Sequence, residues 1–432
     1  MLFFLALLFS LTRQRNIGSA SRSYEDAAVA TADVAYSPLL VSRAFARRII
    51  ARECGAEAEF ALLPMDAPPR ALLAAISETC ADATSFLPFA GREVWHRHAD
   101  VAVLDTDMAG MSTEETTKMT LSRLAKCAAR GGGGGGRSGM RRACIVFLHS
   151  YVLPHTADAL LAYLRDHPLE RFVLVTSSND DGCLPWFGSA REGSPPALAA
   201  LLVHERVGAW FGENPCPGSF PGSEKLHPLP LGPKFRTSRA FGGENVGGVR
   251  ARLHALIAAA EAVEPKERRG MFLRVSVNST AEPLVANYTG LRSKTLPHML
   301  KLAAALESEL AHAGAAADRA AIVSADDYLA ELLQSRFAWS PPGRGIDAHR
   351  TWECLLAGTL PIVLRSSISA AYAGLPVIEV DSFEALSIGK LKAAAAQLNR
   401  LGLSGAVELS PQLFAFHWLS LIEDAARRFQ IL

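Results

Sequence analysis

The sequence predicts an α/β protein built of two Rossmann-like domains facing a cleft. Three observations lead there. From residue 144 onward, short apolar runs alternate with amphipathic helical patterns, as parallel strands covered by helices require. The chain has 432 residues, too many for one ordinary α/β domain and enough for two. A glycine-rich turn at residues 343–347 lies between a strand pattern and a helix pattern, the place where such folds seat ligands.

The elements follow in order. Residues 2–11 form a continuous apolar run, followed by Arg13 and Arg15 and by a Ser/Ala/Arg-rich stretch. An apolar start of this kind is expensive in water and reads as a targeting or anchor segment with its linker, residues 1–35. It is shorter than the roughly 20 residues that span a bilayer. The remainder is expected to divide into an N-terminal domain, residues 36–245, and a C-terminal domain, residues 246–432. In the first, helical patterns cover 39–52 and 70–80, and a strand covers 99–104. Ser112 and Glu115 have capping-box spacing and open a helix running to about 129. The glycine run 131–136 is read as a surface insertion, because no Gly-Lys-Ser/Thr follows to make a phosphate loop. Strands at 144–148, 172–176 and 207–211 alternate with helices at 157–165 and 196–204, and a Pro/Gly-rich stretch, 215–233, breaks the pattern. A helix at 250–262 leads to strands at 271–277, 320–323, 337–340, 360–364 and 377–380. Helices at 296–313, 328–334 and 348–357 separate them, and two amphipathic helices close the chain.

Composition narrows the chemistry. Net charge is +1, so there is no basic surplus for nucleic acid and no acidic surplus for a solvating tail. The seven cysteines include no C-x-x-C pair, which removes zinc ribbons and thioredoxin-like motifs and leaves one or two bridges open in an oxidising compartment. Two sequons, at Asn278 and Asn287, are compatible with a luminal location. Asp105-Thr106-Asp107 mimics a metal-binding D-x-D but ends a short strand far from the glycine turn, and is read as a turn. No metal and no cofactor are expected.

The chemistry is concentrated between Arg336 and Val363. Pro341 and Pro342 stop a buried strand, and Gly343 and Gly345 let backbone approach a ligand without a Cβ in the way. Asp347 is expected to be the N-cap of the next helix. A strand, a glycine turn and a helix N-terminus together make a pyrophosphate seat, since free N–H groups and the helix dipole both favour an anion. Along the helix, Trp352, Leu355 and Leu356 suit the sheet side, while His349, Arg350 and Glu353 share another face by three-and-four spacing. Arg350 can add charge to a diphosphate, and Glu353, one turn further, can accept from two vicinal ribose hydroxyls. Gly358 is expected to end the helix.

This text resembles the exostosin-like glycosyltransferases, whose donor domain carries a pattern like R-F-x-L-S-P-x-G-x-G-x-D-x-H-R-x-W-E-A-L-x-x-G-x-I-P-I-V. Arg336, Phe337, Ser340, Pro341, Gly343, Gly345, Asp347, His349, Arg350, Trp352, Glu353, Gly358 and Pro361 match it. Tyr372, Leu375-Pro376-Val377 and Asp381-Ser382-Phe383 resemble its continuation. Upstream, the strand from Phe172 to Thr176 with Asn179-Asp180, the Trp210-Phe-Gly-Glu213-Asn214 segment and His227-Pro228-Leu-Pro230-Leu-Gly232 resemble further family segments. Ala348, Cys354 and Ser177-Ser178 depart from the pattern.

The resemblance implies a GT-B fold and transfer of a sugar from a nucleotide-diphosphate donor, UDP-linked in most members, to a glycan or glycoprotein acceptor. It implies a metal-independent reaction, inverting in most members and retaining in some, and a Golgi membrane or luminal location, with membrane association through residues 2–11. The donor-binding set is then Gly343, Arg344, Gly345, Asp347, His349, Arg350 and Glu353. Inversion needs a general base on the acceptor side. Asp180 is the first choice, because it matches the family pattern. His149, Asp181, Glu213 and Asn214 are the other acceptor-side candidates at expected strand ends. Two other readings stay open. One is a catalytically inactive, glycan-binding member of the same fold. The other is a nicotinamide oxidoreductase, since Gly343-x-Gly345-x-x-Ala348 fits a loose dinucleotide fingerprint, although no acidic residue stands near Leu364 and Arg365 to hold a ribose.

Overall fold

The computed structural model describes residues 95–104, 107, 110–129, 142–177, 182–183, 186–187, 196–215, 220–233, 259–260, 262–263, 268–274, 290–309, 325–343, 345–400, 411–413 and 415–429. Outside them lie the apolar N-terminal run and its linker, the helices expected at 39–52 and 70–80, and the glycine run. The strand expected at 320–323, both sequons, Asp105, Asp180, Asp181 and Arg344 also lie outside, as does most of the helix expected at 250–262.

Two parallel sheets organise the chain, as the strand–helix alternation predicts. The first is built from β1 (Val101–Val103), β2 (Cys144–His149), β3 (Phe172–Ser177), β6 (Val207–Gly212) and β7 (Leu226–Pro228), in that order across the sheet. All its neighbours are parallel. A two-stranded antiparallel hairpin, β4 (Gly182–Cys183) with β5 (Trp186–Phe187), is inserted between β3 and β6. Connecting helices are α1 (Thr113–Ala129), α2 (Leu153–Asp166) and α3 (Pro196–Val203). The Ser112 capping box forms as expected: Ser112 Oγ accepts from Glu115 N–H and Glu115 accepts from Ser112 N–H. Asp107 ends β1 in a turn, accepting from Leu104 N–H and pairing with Arg123 of α1.

The second sheet runs β11 (Ile378–Val380), β10 (Leu360–Leu364), β9 (Ser335–Trp339), β8 (Arg269–Phe272), again all parallel. Its helices are α4 (Leu291–Glu309), α5 (Ala325–Gln334), α6 (His349–Ala357) and α7 (Ile388–Arg400). The last helix, α8, covers Ala415–Arg428. α4 begins before its expected start at 296. Pro297, which reads as a first-turn proline, sits inside the helix, and Gly290 at φ +67° leads into it instead.

Strand order explains where the helices lie. In both sheets the strands follow one another in sequence order, and in the first the right-handed crossovers carry α1, α2 and α3 to the same face. In the first sheet Val146, Leu148, Leu174 and Trp210 pack with Leu124, Leu160, Leu164, Leu198 and Leu201 from α1–α3. The opposite face, with Ile145, Phe147, Val173, Val175 and Phe211, receives no crossover helix. It is covered by Trp418, Leu419, Ile422 and Ala426 of α8, delivered from the far end of the chain. Arg142 fixes α8 there, with both guanidinium nitrogens on Asp100 at 2.7 and 2.9 Å and Nε 3.3 Å from Glu423. In the second sheet α4 and α7 line one face through Met299, Leu302, Leu391 and Ala395. α5 and α6 line the other, through Leu332, Trp352, Leu355 and Leu356, in a core continuous with that under α8.

Cys127 at the end of α1 and Cys144 at the start of β2 form a disulfide that spans the glycine insertion. Asp100 lies close to both sulfurs, but neither is a free thiolate, so the cluster is not a metal site. Among the described residues no helix is long and apolar enough to cross a membrane.

Candidate functional site

The carboxyl end of β9 leads into the 341–347 turn, and this turn meets the carboxyl edge of the first sheet. Asp347 makes that junction. Its carboxylate is buried and accepts four hydrogen bonds: from Leu231 N–H (2.8 Å), Trp352 Nε1 (2.8 Å), Tyr372 Oη (2.7 Å) and Ala348 N–H (2.8 Å). Its own N–H donates to Asn214 Oδ1 at 2.9 Å. Burial pushes the Asp347 carboxyl up from its usual range, and the four donors oppose that rise. Asp347 is therefore not the helix N-cap that its position suggests. Ala348, with extended backbone, holds that place, and the Asp347 side chain ties the turn to Leu231 and Asn214. Gly358 ends α6 in the left-handed conformation expected of it, φ +69°.

The two turn glycines are needed for different reasons. A Cβ on Gly345 would stand 2.3 Å from the Asn214 amide, so the close approach there is to protein. A Cβ on Gly343 would meet the Arg292 guanidinium at 3.2 Å. Asn214 is itself strained, with φ +50°, and almost fully buried. Its neighbour Glu213 is fully buried at the end of β6, and His149 is buried at the end of β2. Three predicted acceptor-side residues, His149, Glu213 and Asn214, thus share one sheet edge, and Asn214 touches the turn.

Within α6 the three polar residues diverge. His149 belongs to the first sheet, and His349 turns toward that sheet, its Nδ1 2.7 Å from Gly232 O. Arg350 and Glu353 turn toward β8 and α5. Arg350 donates to Trp339 O at 3.3 Å and to Arg274 O, and its guanidinium carbon lies 5.4 Å from the Phe272 ring centroid. Glu353 is buried and accepts from Tyr328 Oη of α5 at 2.8 Å. Burial raises the Tyr328 hydroxyl well above its ordinary range; the Glu353 charge adds to the rise and Arg350 opposes it.

The residue that sequence reading missed is Arg292, at the start of α4. Its Nε donates to Pro342 O at 3.0 Å, and its Nη2 lies against Gly343. Burial, followed by repulsion from Arg350, pushes its pKa down to about 10. Both side chains bond backbone carbonyls near the carboxyl end of β9, Arg292 that of Pro342 and Arg350 that of Trp339. The missed signal was positional: Arg292 follows a turn glycine and opens a helix, and nothing local ties it to residue 343. Tyr328, also missed, was legible only as a helix residue.

No protein-family model matches the chain, and no curated protein matches it. Among solved structures it is similar to an α,α-trehalose-phosphate synthase (UDP-forming) from Burkholderia vietnamiensis, at 11% identity over 78% of this chain and 77% of that one, with a TM-score of 0.29. It is also similar to the N-terminal domain of Candida albicans trehalose-6-phosphate phosphatase, at 12% identity over 78% of each chain and a TM-score of 0.28. A glycosyltransferase from Rickettsia africae aligns at 11% identity over 76% of this chain and 94% of that one, with a TM-score of 0.26. The fold class itself, two parallel Rossmann-like sheets, rests on the chain's own strand order and register.

Proposed function

We propose that this chain is an exostosin-like glycosyltransferase of GT-B type, which binds a nucleoside-diphosphate sugar, UDP-linked, and transfers the sugar to a glycan or glycoprotein acceptor. The observation that carries the reading is the Arg292–Arg350 pair beside the Gly343 turn. Both arginines bond carbonyls at a strand's carboxyl end, next to a helix N-terminus, and a diphosphate there would offset the burial of their charge and the repulsion between them. The same cations stabilise the leaving diphosphate in place of a metal. Gly343 is proposed to let backbone approach it, and the Arg344 side chain to add charge. Glu353, buried one turn along α6 beside Tyr328, is the proposed acceptor for the ribose hydroxyls. Asp347, His349 and Asn214 hold the turn against the first sheet. Asp180 is the proposed general base for inversion, with His149, Asp181 and Glu213 along the same stretch of chain as the alternatives. A secretory-pathway location, with residues 2–11 as the Golgi-type anchor, is part of the proposal. The Cys127–Cys144 bridge supports it, because such bridges persist in oxidising compartments.

Calorimetric titration of UDP into wild type, Arg350→Lys and Glu353→Gln tests the reading. The expected result is binding by wild type and a loss of roughly tenfold to a hundredfold in affinity for Glu353→Gln, the equivalent of losing a charge-assisted hydrogen bond. Arg350→Lys keeps the charge but loses the planar fork, so it is expected to weaken UDP as well. Equal dissociation constants for wild type and Glu353→Gln would remove Glu353 from the site. No UDP binding by wild type would overturn the donor assignment.

A further inference from the structure

The exposed large hydrophobic side chains among the described residues are Tyr151, Leu169, Val203 and Leu300, and Tyr151 is the one aromatic among them, 52% exposed. Its position is not random. It lies two residues beyond β2, in the turn that leads into α2, at the carboxyl edge of the first sheet. The turn is held: Val152 N–H donates to His149 O at 2.8 Å, and Ser150 N–H donates to Ser177 O at 3.2 Å. The ring is held too. It rests on the imidazole of buried His149, with ring centroids 5.2 Å apart and tilted by 32°, and Tyr151 N–H lies 3.4 Å from His149 Nδ1. A large aromatic surface is thus kept in water by a fixed backbone and a ring beneath it, where a surface residue with no task would be free to be polar.

Register says what lies alongside. His149 pairs with Ser177 of β3, and Thr176 pairs with Gly212 of β6, which is followed by Glu213 and Asn214. Two strand spacings, about 10 Å, therefore separate the Tyr151 turn from the residues that touch the 343–347 turn. We propose that Tyr151 is a stacking platform for the acceptor, receiving the C–H face of a pyranose ring while the rest of the glycan runs along the sheet edge toward Glu213. This deepens the glycosyltransfer reading and rests on it. A tyrosine suits the task, because its ring supplies apolar area at low entropic cost and a hydroxyl able to hydrogen-bond. His149 is the positioning residue beneath it.

Saturation-transfer NMR of the full chain with lactose, cellobiose and N-acetyllactosamine tests this, with UDP titrated into the same proteins. Wild type and Tyr151→Phe are expected to transfer saturation to the ring C–H protons of at least one disaccharide. Tyr151→Ala is expected to bind that sugar about threefold to tenfold more weakly, the loss of one aromatic stacking contact. UDP affinity should be the same in all three, which also reports that the variants are folded. The proposal is overturned if wild type binds none of the three sugars, or if Tyr151→Ala binds as wild type does. Sugar binding that depends on Tyr151 in a protein that ignores UDP would sustain the platform and sink the donor reading.

Discussion

Asp347 lies three residues before Arg350 and in the turn that Arg292 of α4 bonds, and the anion and the two cations are built in opposite ways. Asp347 is a buried anion whose every lone-pair direction meets a donor from the protein itself. The arginines are two cations whose bonds go to backbone carbonyls, and burial, then the Arg350 charge, depresses the Arg292 pKa. A group satisfied by its own fold is structural; a group held in place at an electrostatic cost points to something that binds. The comparison divides the motif between Arg336 and Val363. Its glycine–aspartate half locks the second sheet's turn to the first sheet, and its arginine half is the part proposed to bind the anion.

The largest effect should come from breaking the lock. Asp347→Ala strands four donors, two of them main-chain N–H groups that cannot turn away. At about 1–3 kcal/mol for each buried group left unpaired, offset by partial relaxation, the loss of stability should be on the order of 4 kcal/mol. Urea unfolding followed by circular dichroism measures it. A loss below about 1 kcal/mol would mean that the carboxylate is not the hub of the junction.

Gly345→Ala is a milder test of the same junction. The new Cβ would collide with the Asn214 side chain, so Asn214 must withdraw and give up the bond from Asp347 N–H. The expected cost is about 1–3 kcal/mol, the usual range for overpacking. Asn214→Gly in the same background removes the clashing group and should return part of the loss. If Gly345→Ala instead leaves stability unchanged and abolishes UDP binding, the glycine serves the ligand and not the lock, and the division drawn above fails.

How much of this was legible in the sequence depends on the range of the interaction. The parallel sheets, the capping box at Ser112 and the left-handed Gly358 are written in local pattern and came through with small shifts at element ends. Asp347 shows where local reading stops. Aspartate before a helix is a sound N-cap, but Trp352, Tyr372 and Leu231 compete for its oxygens, and Leu231 lies 116 residues away. The covering of the first sheet by α8 was also invisible. It follows from strand order, which decides that one face is left bare, and strand order is not a property of any window of sequence. Arg292 was missed for the same reason.

Arg292→Leu should have the smallest effect on stability and the most informative one. In the folded chain burial, then repulsion from Arg350, pushes its pKa down to about 10, below the value it has in the unfolded chain. A base depressed in this way binds fewer protons folded than unfolded between those values, so stability rises with pH only there. At pH 7 the guanidinium is charged in both states, and the fold carries the cost of burying that charge, and of its repulsion with Arg350, in full. Removing the charge relieves that repulsion and gives up the bond to Pro342 O, a trade expected to lie within about 1 kcal/mol of zero. Added UDP reverses the ranking. Wild type should gain stability with ligand by mass action, while Arg292→Leu should gain much less, because half of the anion site is missing. Thermal melts of both proteins with and without UDP, at low and high salt, read the two effects separately. If Arg292→Leu loses several kcal/mol without ligand and still responds to UDP as wild type does, Arg292 is a structural strut for the 341–343 turn, and the anion belongs to Arg350 alone.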